Sequence, residues 1–139
     1  MGKIGEPWEN PKLFSPLTLA FIGDAVYELC ARQRVLEDGN RPVNEMHQRT
    51  VQLVKAKSQS QAFEKIEALL TEEELAVYKR GRNANTTSSP KHADLGDYRR
   101  ATGVEALFGY LYLKGDLERI AQLFRLVGEI GKELNQKKD

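Results

Sequence analysis

The sequence predicts an all-α fold, a single-domain helical bundle, from three observations. Apolar residues recur at helical spacing in segments that end at helix-breaking residues such as Gly39 and Gly115. Residues that favour helix N-caps precede several of these segments. No alternation of apolar and polar residues, the pattern typical of a strand, continues for more than a few positions. The length of 139 residues fits one domain of ordinary size.

The first half of the chain is predicted to form three helices. Ser15, in the N-cap position, begins the first helix, which extends to about Leu36. The predicted core face of this helix consists of Ile22, Ala25, Val26, Leu29 and Cys30. A second helix follows Pro42, and the pair Ser58 and Gln61 has the pattern of a capping box that opens a third helix.

The second half of the chain is predicted to form three more helices. Thr71 and Glu74 have the pattern of a capping box that opens a short fourth helix. The segment 82–97 has no periodicity and is rich in Asn, Thr, Ser and Pro, which predicts a basic polar loop. Asp97 is the predicted N-cap of a fifth helix, and Asp116 that of the last. The core face of the fifth helix is predicted to be Ala101, Val104, Phe108, Leu111 and Tyr112.

The composition excludes several classes of protein. With 40% hydrophobic and 29% charged residues, the chain is not expected to be disordered. Cys30 is the only cysteine, which excludes an internal disulfide, and with only His47 and His92 we expect no structural zinc site. No apolar run approaches the roughly 18 residues of a membrane span. The polar N-terminal arm, residues 1–12, lacks the apolar stretch of a signal peptide, so a cytoplasmic protein is expected.

The net charge of +1 conceals an uneven distribution. Residues 79–100 carry a net charge of +4, which leaves −3 for the rest of the chain. The charged residues of this segment are Lys79, Arg80, Arg82, Lys91, Arg99 and Arg100, with Asp94 and Asp97. A basic segment on an acidic body is typical of a nucleic-acid-binding surface, and His92 lies within it. The alternative is a solvated basic loop that only aids solubility.

Two carboxylates interrupt the apolar faces of predicted helices. Asp24 falls inside the apolar sector of the first helix, and Glu105 lies on the core stripe of the fifth. An acid in an apolar sector loses hydration and needs a cation, a hydrogen-bonding partner or a proton. Such a pair can converge in space and hold a divalent metal through oxygen ligands. The alternative is a structural ion pair with a residue such as Arg32 or Arg99.

Two sequence motifs resemble those of the ribonuclease III family. The first, Leu19-Ala20-Phe21-Ile22-Gly23-Asp24-Ala25-Val26, is similar to the signature of its catalytic domain. The second, Val104-Glu105-Ala106-Leu107-Phe108-Gly109, resembles its second acidic motif. The segment Lys79-Arg80-Gly81-Arg82-Asn83-Ala84 and the absence of a double-stranded-RNA-binding domain resemble the Mini-III branch of the family. The resemblance covers essentially the whole chain, as one catalytic domain.

The resemblance implies an all-α endonuclease that works as a homodimer, with one active site per subunit cutting one strand of double-stranded RNA. It implies that Asp24 and Glu105 are the catalytic residues, that they bind Mg²⁺, and that the products carry 5′-phosphate and 3′-hydroxyl ends. It also implies a role in maturing the ends of the 23S ribosomal RNA precursor, presented by a large-subunit ribosomal protein. The residues expected to contact RNA are Lys79, Arg80, Arg82, Lys91, His92, Arg99 and Arg100.

The chain departs from the full family pattern at three acidic positions. Leu17 and Ala20 stand where the family has acids seven and four positions before the signature Asp, and Thr102 replaces an Asp three positions before the second signature acid. Water and RNA phosphate oxygens would then supply the other metal ligands, with Thr102 as a candidate support, for one metal or two. Asp94 and Asp97 are further candidate supporting acids, and cap or turn roles are the alternative.

Two other functions remain open from the sequence. A non-catalytic RNA-binding or ribosome-associated module of the same fold would account for the missing acids, although the two retained carboxylates favour an enzyme. A helical protein–protein adaptor that docks through the basic loop is the other. The sequence does not identify the dimer interface, and ordinary core packing would equally explain the aromatic candidates. These candidates are Phe21, Tyr27, Phe108 and Tyr112.

Overall fold

A computed structural model describes residues 2–84 and 95–136 of the chain, and within these ranges it contains helices and no strand. The all-α prediction is therefore confirmed. The α-helices are α1 (Pro16–Leu36), α2 (Val43–Val54), α3 (Ala56–Ile66), α4 (Glu72–Arg82), α5 (Leu95–Lys114) and α6 (Leu117–Gln136). Short 3₁₀ helices span Pro11–Leu13 and Glu67–Leu69. None of the helices in the described ranges combines the length and the apolar character needed to cross a membrane.

Side-chain caps begin three of the helices, as the sequence predicts. Ser15 Oγ accepts the backbone N–H of the third residue of α1 at 3.1 Å. Thr71 and Glu74 form a reciprocal capping box at the start of α4. Asp116 accepts a backbone N–H of the first turn of α6 at 3.2 Å. Gly115, at φ 86°, adopts the left-handed conformation that ends α5. Each of these side-chain caps joins residues only three positions apart.

The third helix begins earlier than predicted. α3 starts at Ala56, two residues after the end of α2, and Lys55 at its N-cap makes no side-chain capping hydrogen bond. The capping box predicted for Ser58 and Gln61 is therefore wrong. Gln is a favourable helix residue and Ser only a mildly unfavourable one, so both positions can lie inside the helix.

The loop predicted for 82–97 is shorter at both ends. Arg82 is the last residue of α4, and α5 begins at Leu95, three residues before its predicted start. Asp97 consequently lies in the first turn of α5 rather than at the N-cap. The rest of the predicted loop, residues 85–94, lies outside the described residues.

α5 is the central helix of the bundle, and α1, α4 and α3 pack around it. Half of its residues are buried, and Phe108 has no exposed surface. The ring of Tyr27 on α1 connects α5 to two other helices, because its centroid lies 5.2 Å from that of Phe108, 5.2 Å from that of Phe124 and 6.0 Å from that of Phe63. These aromatic contacts form the middle of the hydrophobic core.

The core face predicted for α1 is only partly right. Ile22, Val26 and Cys30 pack against the core but are only partly buried. The buried residues of the helix are Leu19, Ala20, Gly23, Tyr27, Ala31 and Val35. Of the predicted core residues, Ala25 is exposed and Leu29 is 59% exposed. Apolar residues surround most of the helix, so periodicity alone does not distinguish the face that packs on α5 from the faces that do not. The face left uncovered carries Leu17, which is 43% exposed, and Phe21, which is 81% exposed.

Two glycines allow α1 and α5 to touch backbone to backbone. A Cβ atom on Gly23 would overlap the carbonyl oxygen of Glu105, and one on Gly109 would overlap the carbonyl oxygen of Leu19. As the chain advances along α1 from residue 19 to residue 23, its contacts on α5 move back from residue 109 to residue 105. The two helices therefore run antiparallel, and their main chains are held closer than any side chain would permit.

Replacing Gly23 by Ala is predicted to destabilise the protein by about 3 kcal/mol or more, because the new methyl group must push α1 and α5 apart. Urea unfolding followed by circular dichroism measures the loss.

Gly128→Ala is the matched control for this substitution. Nothing lies within 4 Å of a Cβ atom at Gly128 in α6, so we expect it to stabilise the protein by about 0.5–1 kcal/mol. Equal stability of the two variants would contradict the close crossing of α1 and α5.

Candidate active site

A solvent-open depression of about 570 Å³ lies between α1 and α5. α1 contributes two acids to it, Asp24 and Glu28, and α5 contributes Glu105 and Thr102. The full lining is Leu17, Ala20, Phe21, Ile22, Asp24, Ala25, Glu28, Tyr98, Thr102 and Glu105. The structure thus brings together the two carboxylates that the sequence singles out, although they are separated by 81 positions in the chain.

Asp24 and Glu105 face each other without a neutralising cation. Asp24 is exposed rather than buried in an apolar sector as predicted, whereas Glu105 is half-buried. Burial, the negative charge of Asp24 and the hydrogen bond between the two carboxyl groups raise the pKa of Glu105 to about 8. Within the described part of the chain, no Lys or Arg lies within 4.0 Å of either carboxylate. Arg32 pairs with Glu28 at 3.4 Å, so the structural ion pair proposed for Asp24 is not present.

The donor set of the depression is suited to a hard divalent cation. The charge of Asp24 makes ionisation of Glu105 costly, and a positive ion between the two carboxylates would offset that cost. No group of three or more His, Cys, Asp or Glu side chains with metal-binding geometry is found in the residues described. A cation held by Asp24 and Glu105 would therefore keep several waters or take oxygens from a bound phosphate, which Mg²⁺ does readily.

The positions where the chain departs from the family pattern lie in the same depression. Leu17 and Ala20 are part of its apolar lining. Thr102 is 7% exposed, and its hydroxyl donates to the backbone oxygen of Tyr98 at 3.0 Å. The Thr102 hydroxyl can therefore only accept a further hydrogen bond, which is compatible with its predicted supporting role.

The predicted RNA-binding residues fall into three groups. Lys79 and Arg80 near the end of α4, and Arg99 in the first turns of α5, are exposed. Arg82 instead pairs with Glu67 at 3.2 Å, and its guanidinium lies 5.7 Å from the centroid of the Tyr78 ring. The remaining predicted contacts Lys91 and His92, and the candidate acid Asp94, lie outside the described residues.

Arg100 is also engaged within the fold. It donates to Ser60 Oγ at 2.9 Å and pairs with Asp97 at 3.5 Å and with Glu64 at 3.9 Å. These partners lie on α3 and α5. Asp97, a candidate supporting acid, is a partner of Arg100 and is not part of the depression.

Two of the aromatic residues considered for a dimer interface belong to the core. Tyr27 is 6% exposed and Phe108 is fully buried, so their assignment to an interface is wrong. The Tyr112 hydroxyl accepts the backbone N–H of Gly5 at 3.1 Å and so holds the N-terminal arm. Phe21 alone of the four has a largely exposed ring, and it borders the carboxylates.

The stability of the metal-free protein is predicted to fall as the pH rises from about 4.5 to about 8. In this window Glu105 is protonated in the folded state and ionised in the unfolded chain, so unfolding releases a proton. The unfolding free energy should fall by at most about 1.4 kcal/mol per pH unit, the value for release of one proton. Chemical denaturation in chelator at pH 5 and pH 8.5 measures it, and Glu105→Gln should remove most of it. A Glu105→Gln variant with the wild-type pH dependence would show that Glu105 is not the titrating group.

Comparison with known proteins identifies the family. The Ribonuclease III domain profile matches residues 17–116, which include both carboxylates. The chain is 47% identical over 119 residues to a Mini-ribonuclease 3 of Thermoanaerobacter sp., covering 86% of this chain and 84% of the relative. It is 43% identical over 136 residues to a Mini-ribonuclease 3 of Clostridium tetani, covering 96% of this chain and 90% of the relative.

A solved structure has the same fold. The chain is similar to an X-ray crystal structure of a Fusobacterium nucleatum protein, with a TM-score of 0.76 and 32% identity. The similarity covers 88% of this chain and 98% of that one. Together with the profile match over residues 17–116 and the opposed carboxylates within it, these comparisons show that the chain belongs to the ribonuclease III family and is an endoribonuclease of that type.

Proposed function

We propose that the protein is a magnesium-dependent endoribonuclease that cleaves double-stranded RNA in the depression between α1 and α5. The observation that carries this proposal is the opposition of Asp24 and Glu105, with no cation beside them among the described residues. A site that served only to bind RNA would gain nothing from two carboxylates that repel both each other and phosphate. The family to which the chain belongs supports the same activity.

Asp24 and Glu105 would hold Mg²⁺ through their carboxylate oxygens. When bound, Mg²⁺ supplies Lewis-acid polarisation of the phosphate and lowers the pKa of an attacking water. Asp24 is accessible to solvent and to a substrate. Glu105 would release its proton to solvent on binding the metal, because the charge of the cation would then stabilise the carboxylate. Among the described residues no His lines the depression, and the proposed hydrolysis, which leaves 5′-phosphate and 3′-hydroxyl ends, assigns no role to an imidazole acid or base.

The proposed assembly is a homodimer with one site per subunit. Phe21 is 81% exposed and Leu17 43% exposed on the side of α1 that borders the carboxylates. An exposed aromatic ring at such a position is costly in water and is covered when a second copy packs on it. A two-fold dimer would present two sites, one to each strand of a duplex.

The proposed RNA contacts in the described ranges are Lys79, Arg80 and Arg99, because their side chains are exposed. Arg82 and Arg100 are half-buried and already paired with acids, so we propose that they position the ends of α4 and α5 instead. The proposed contacts of Lys91 and His92 concern residues outside the described ranges. A duplex bound through phosphates is recognised by its shape rather than by its sequence.

The biological substrate that we propose is the 23S ribosomal RNA precursor, bound in the cytoplasm together with a large-subunit ribosomal protein. Support comes from the resemblance of the sequence motifs to the Mini-III branch and from the relatives named Mini-ribonuclease 3. We further propose that residues 1–139 form one catalytic domain, with residues 1–12 as an N-terminal arm. That arm donates from Trp8 N to Leu113 O at 2.6 Å and so lies against the end of α5.

Asp24→Asn and Glu105→Gln are each predicted to reduce cleavage of long duplex RNA by at least about 10³-fold, because each removes a carboxylate that holds the metal. RNA binding in chelator should change little, and neither variant should be less stable than the wild type, since each removes a carboxylate that costs the fold stability. Cleavage is measured in Mg²⁺ and in chelator, with mapping of the product ends.

Glu37→Gln is the matched control, since Glu37 is an exposed acid paired with Arg34 on the surface and does not line the depression. It should cleave at the wild-type rate. Undiminished turnover in Asp24→Asn or Glu105→Gln would contradict the assignment of the site, and a wild-type protein that binds RNA but never cuts it would establish the non-catalytic alternative.

Simultaneous replacement of Lys79, Arg80 and Arg99 by Ala is predicted to weaken RNA binding and to flatten its salt dependence. If each residue neutralises one phosphate, the slope of log affinity against log salt should fall by roughly 2.7, at about 0.9 per contact. The binding is measured by fluorescence anisotropy in chelator.

A triple variant of Lys12, Arg34 and Lys114 removes the same charge from side chains that pair with surface acids. Its salt slope should equal that of the wild type. Equal slopes in the two triple variants would show that the exposed residues near the ends of α4 and α5 are not the RNA contacts.

A further inference from the structure

Tyr98 is a lining residue of the depression to which the sequence motifs assign no role. It lies near the start of α5, is half-buried, and shares the depression with Asp24 and Glu105. Its phenol hydroxyl makes no hydrogen bond with any residue in the described ranges, whereas the hydroxyls of Tyr110 and Tyr112, on the same helix, are both engaged. An unengaged hydroxyl beside a catalytic centre is available to a substrate.

Its place on α5 sets its distance from the reacting bond. Tyr98, Thr102 and Glu105 follow the spacing that places residues on one face of a helix. Seven residues separate Tyr98 from Glu105, which corresponds to about 10 Å along the helix axis. Because α1 and α5 are antiparallel, Tyr98 lies toward the Glu28 end of the depression and Phe21 toward the other. A strand whose scissile phosphate sits at Asp24 and Glu105 would pass Tyr98 at another phosphate.

The depression offers a phosphodiester almost no hydrogen-bond donors. Asp24 and Glu28 carry carboxylates that only accept when ionised, and Glu105 does the same once a cation displaces its proton. The Thr102 hydroxyl is committed to the backbone oxygen of Tyr98. The remaining lining side chains are apolar. The phenol of Tyr98 is therefore the one uncommitted side-chain donor in the described lining, in a place where an anionic strand must approach three acids.

We propose that Tyr98 binds the substrate by donating a hydrogen bond from Oη to a non-bridging oxygen of a phosphate adjacent to the scissile one. Tyr hydroxyls are ordinary partners of nucleic-acid phosphates, and such contacts fix the position of the strand without reading its sequence. The contact fixes where the strand lies relative to the carboxylates. This inference rests on the proposed function, since it concerns the same site and the same substrate.

The contact acts on binding rather than on the chemical step. The backbone of Tyr98 lies about 10 Å along the helix axis from that of Glu105, so the phenol is placed to meet a neighbouring phosphate rather than the scissile one. Its hydrogen bond is the same in the bound substrate and in the transition state, and an interaction of that kind changes KM and leaves kcat unchanged. This separation distinguishes Tyr98 from Asp24 and Glu105, whose loss lowers kcat.

The test compares Tyr98→Phe with the wild type on a short RNA duplex. We expect KM to rise about tenfold, the effect of one lost hydrogen bond to a charged group, with kcat within twofold of the wild-type value. In the Asp24→Asn background, which binds without cutting, Tyr98→Phe should raise Kd by the same factor. Tyr112→Phe is the control and should change neither constant, because the Tyr112 hydroxyl holds Gly5. An unchanged Kd, or a fall in kcat at constant KM, would overturn the proposal.

Substrates with a single methylphosphonate identify the contacted oxygen. Neutralising the contacted phosphate should weaken binding to the wild type by about tenfold and have little further effect on Tyr98→Phe. The proposal would be overturned if a methylphosphonate at every tested position weakened the binding of the wild type and of Tyr98→Phe equally. It would also be overturned if the two proteins differed only in their response to a 2′-deoxy nucleotide in the substrate. Cleavage by the wild type in Mg²⁺ tests the proposed function separately, since it does not depend on the identity of residue 98.

Discussion

The backbone contact between α1 and α5 is the constraint on which the rest of the structure depends. Gly23 and Gly109 remove the side chains that would keep the two helices apart, so main-chain atoms meet directly. Gly23 is followed at once by Asp24, and its neighbour across the contact is Glu105. The separation of the two carboxylates is therefore set by packed backbone and not by flexible side chains. A site organised in this way is in place before substrate arrives, which reduces the reorganisation needed during the reaction.

The same contact concentrates unfavourable electrostatics in the folded protein. Burial and the charge of Asp24 hold the pKa of Glu105 near 8, so the fold carries a proton that the unfolded chain would release at neutral pH. The hydrophobic core around Tyr27 and Phe108 supplies the stability that offsets this. A cation between the two carboxylates would stabilise both negative charges and so offset their repulsion. Destabilising carboxylates at an otherwise well-packed crossing are characteristic of a functional site.

Local features of the sequence were sufficient to predict most of the fold, and long-range contacts account for the errors. The Thr71 capping box involves neighbours only, whereas the face of α1 that packs on α5 depends on Gly109, 86 positions after Gly23. Asp24 and Glu105 are recognisable because acids are unusual on apolar faces. Tyr98 cannot be recognised as a site residue in this way, because aromatic residues are common at helical spacing on the core faces of helices. The partner of Arg82, Glu67, lies on another element and leaves no periodic signal.

The arrangement of charge has a consequence for how the protein would meet its substrate. Exposed Lys79, Arg80 and Arg99 lie near the ends of α4 and α5, whereas the depression itself presents Asp24, Glu28 and Glu105. An approaching duplex is attracted by the first set and repelled by the second. This charge distribution would orient the encounter, because the duplex would first contact the exposed basic residues and only then bind over the depression. Association would be fast at low ionic strength, and the acids would disfavour residence of a strand that has no metal to bridge it.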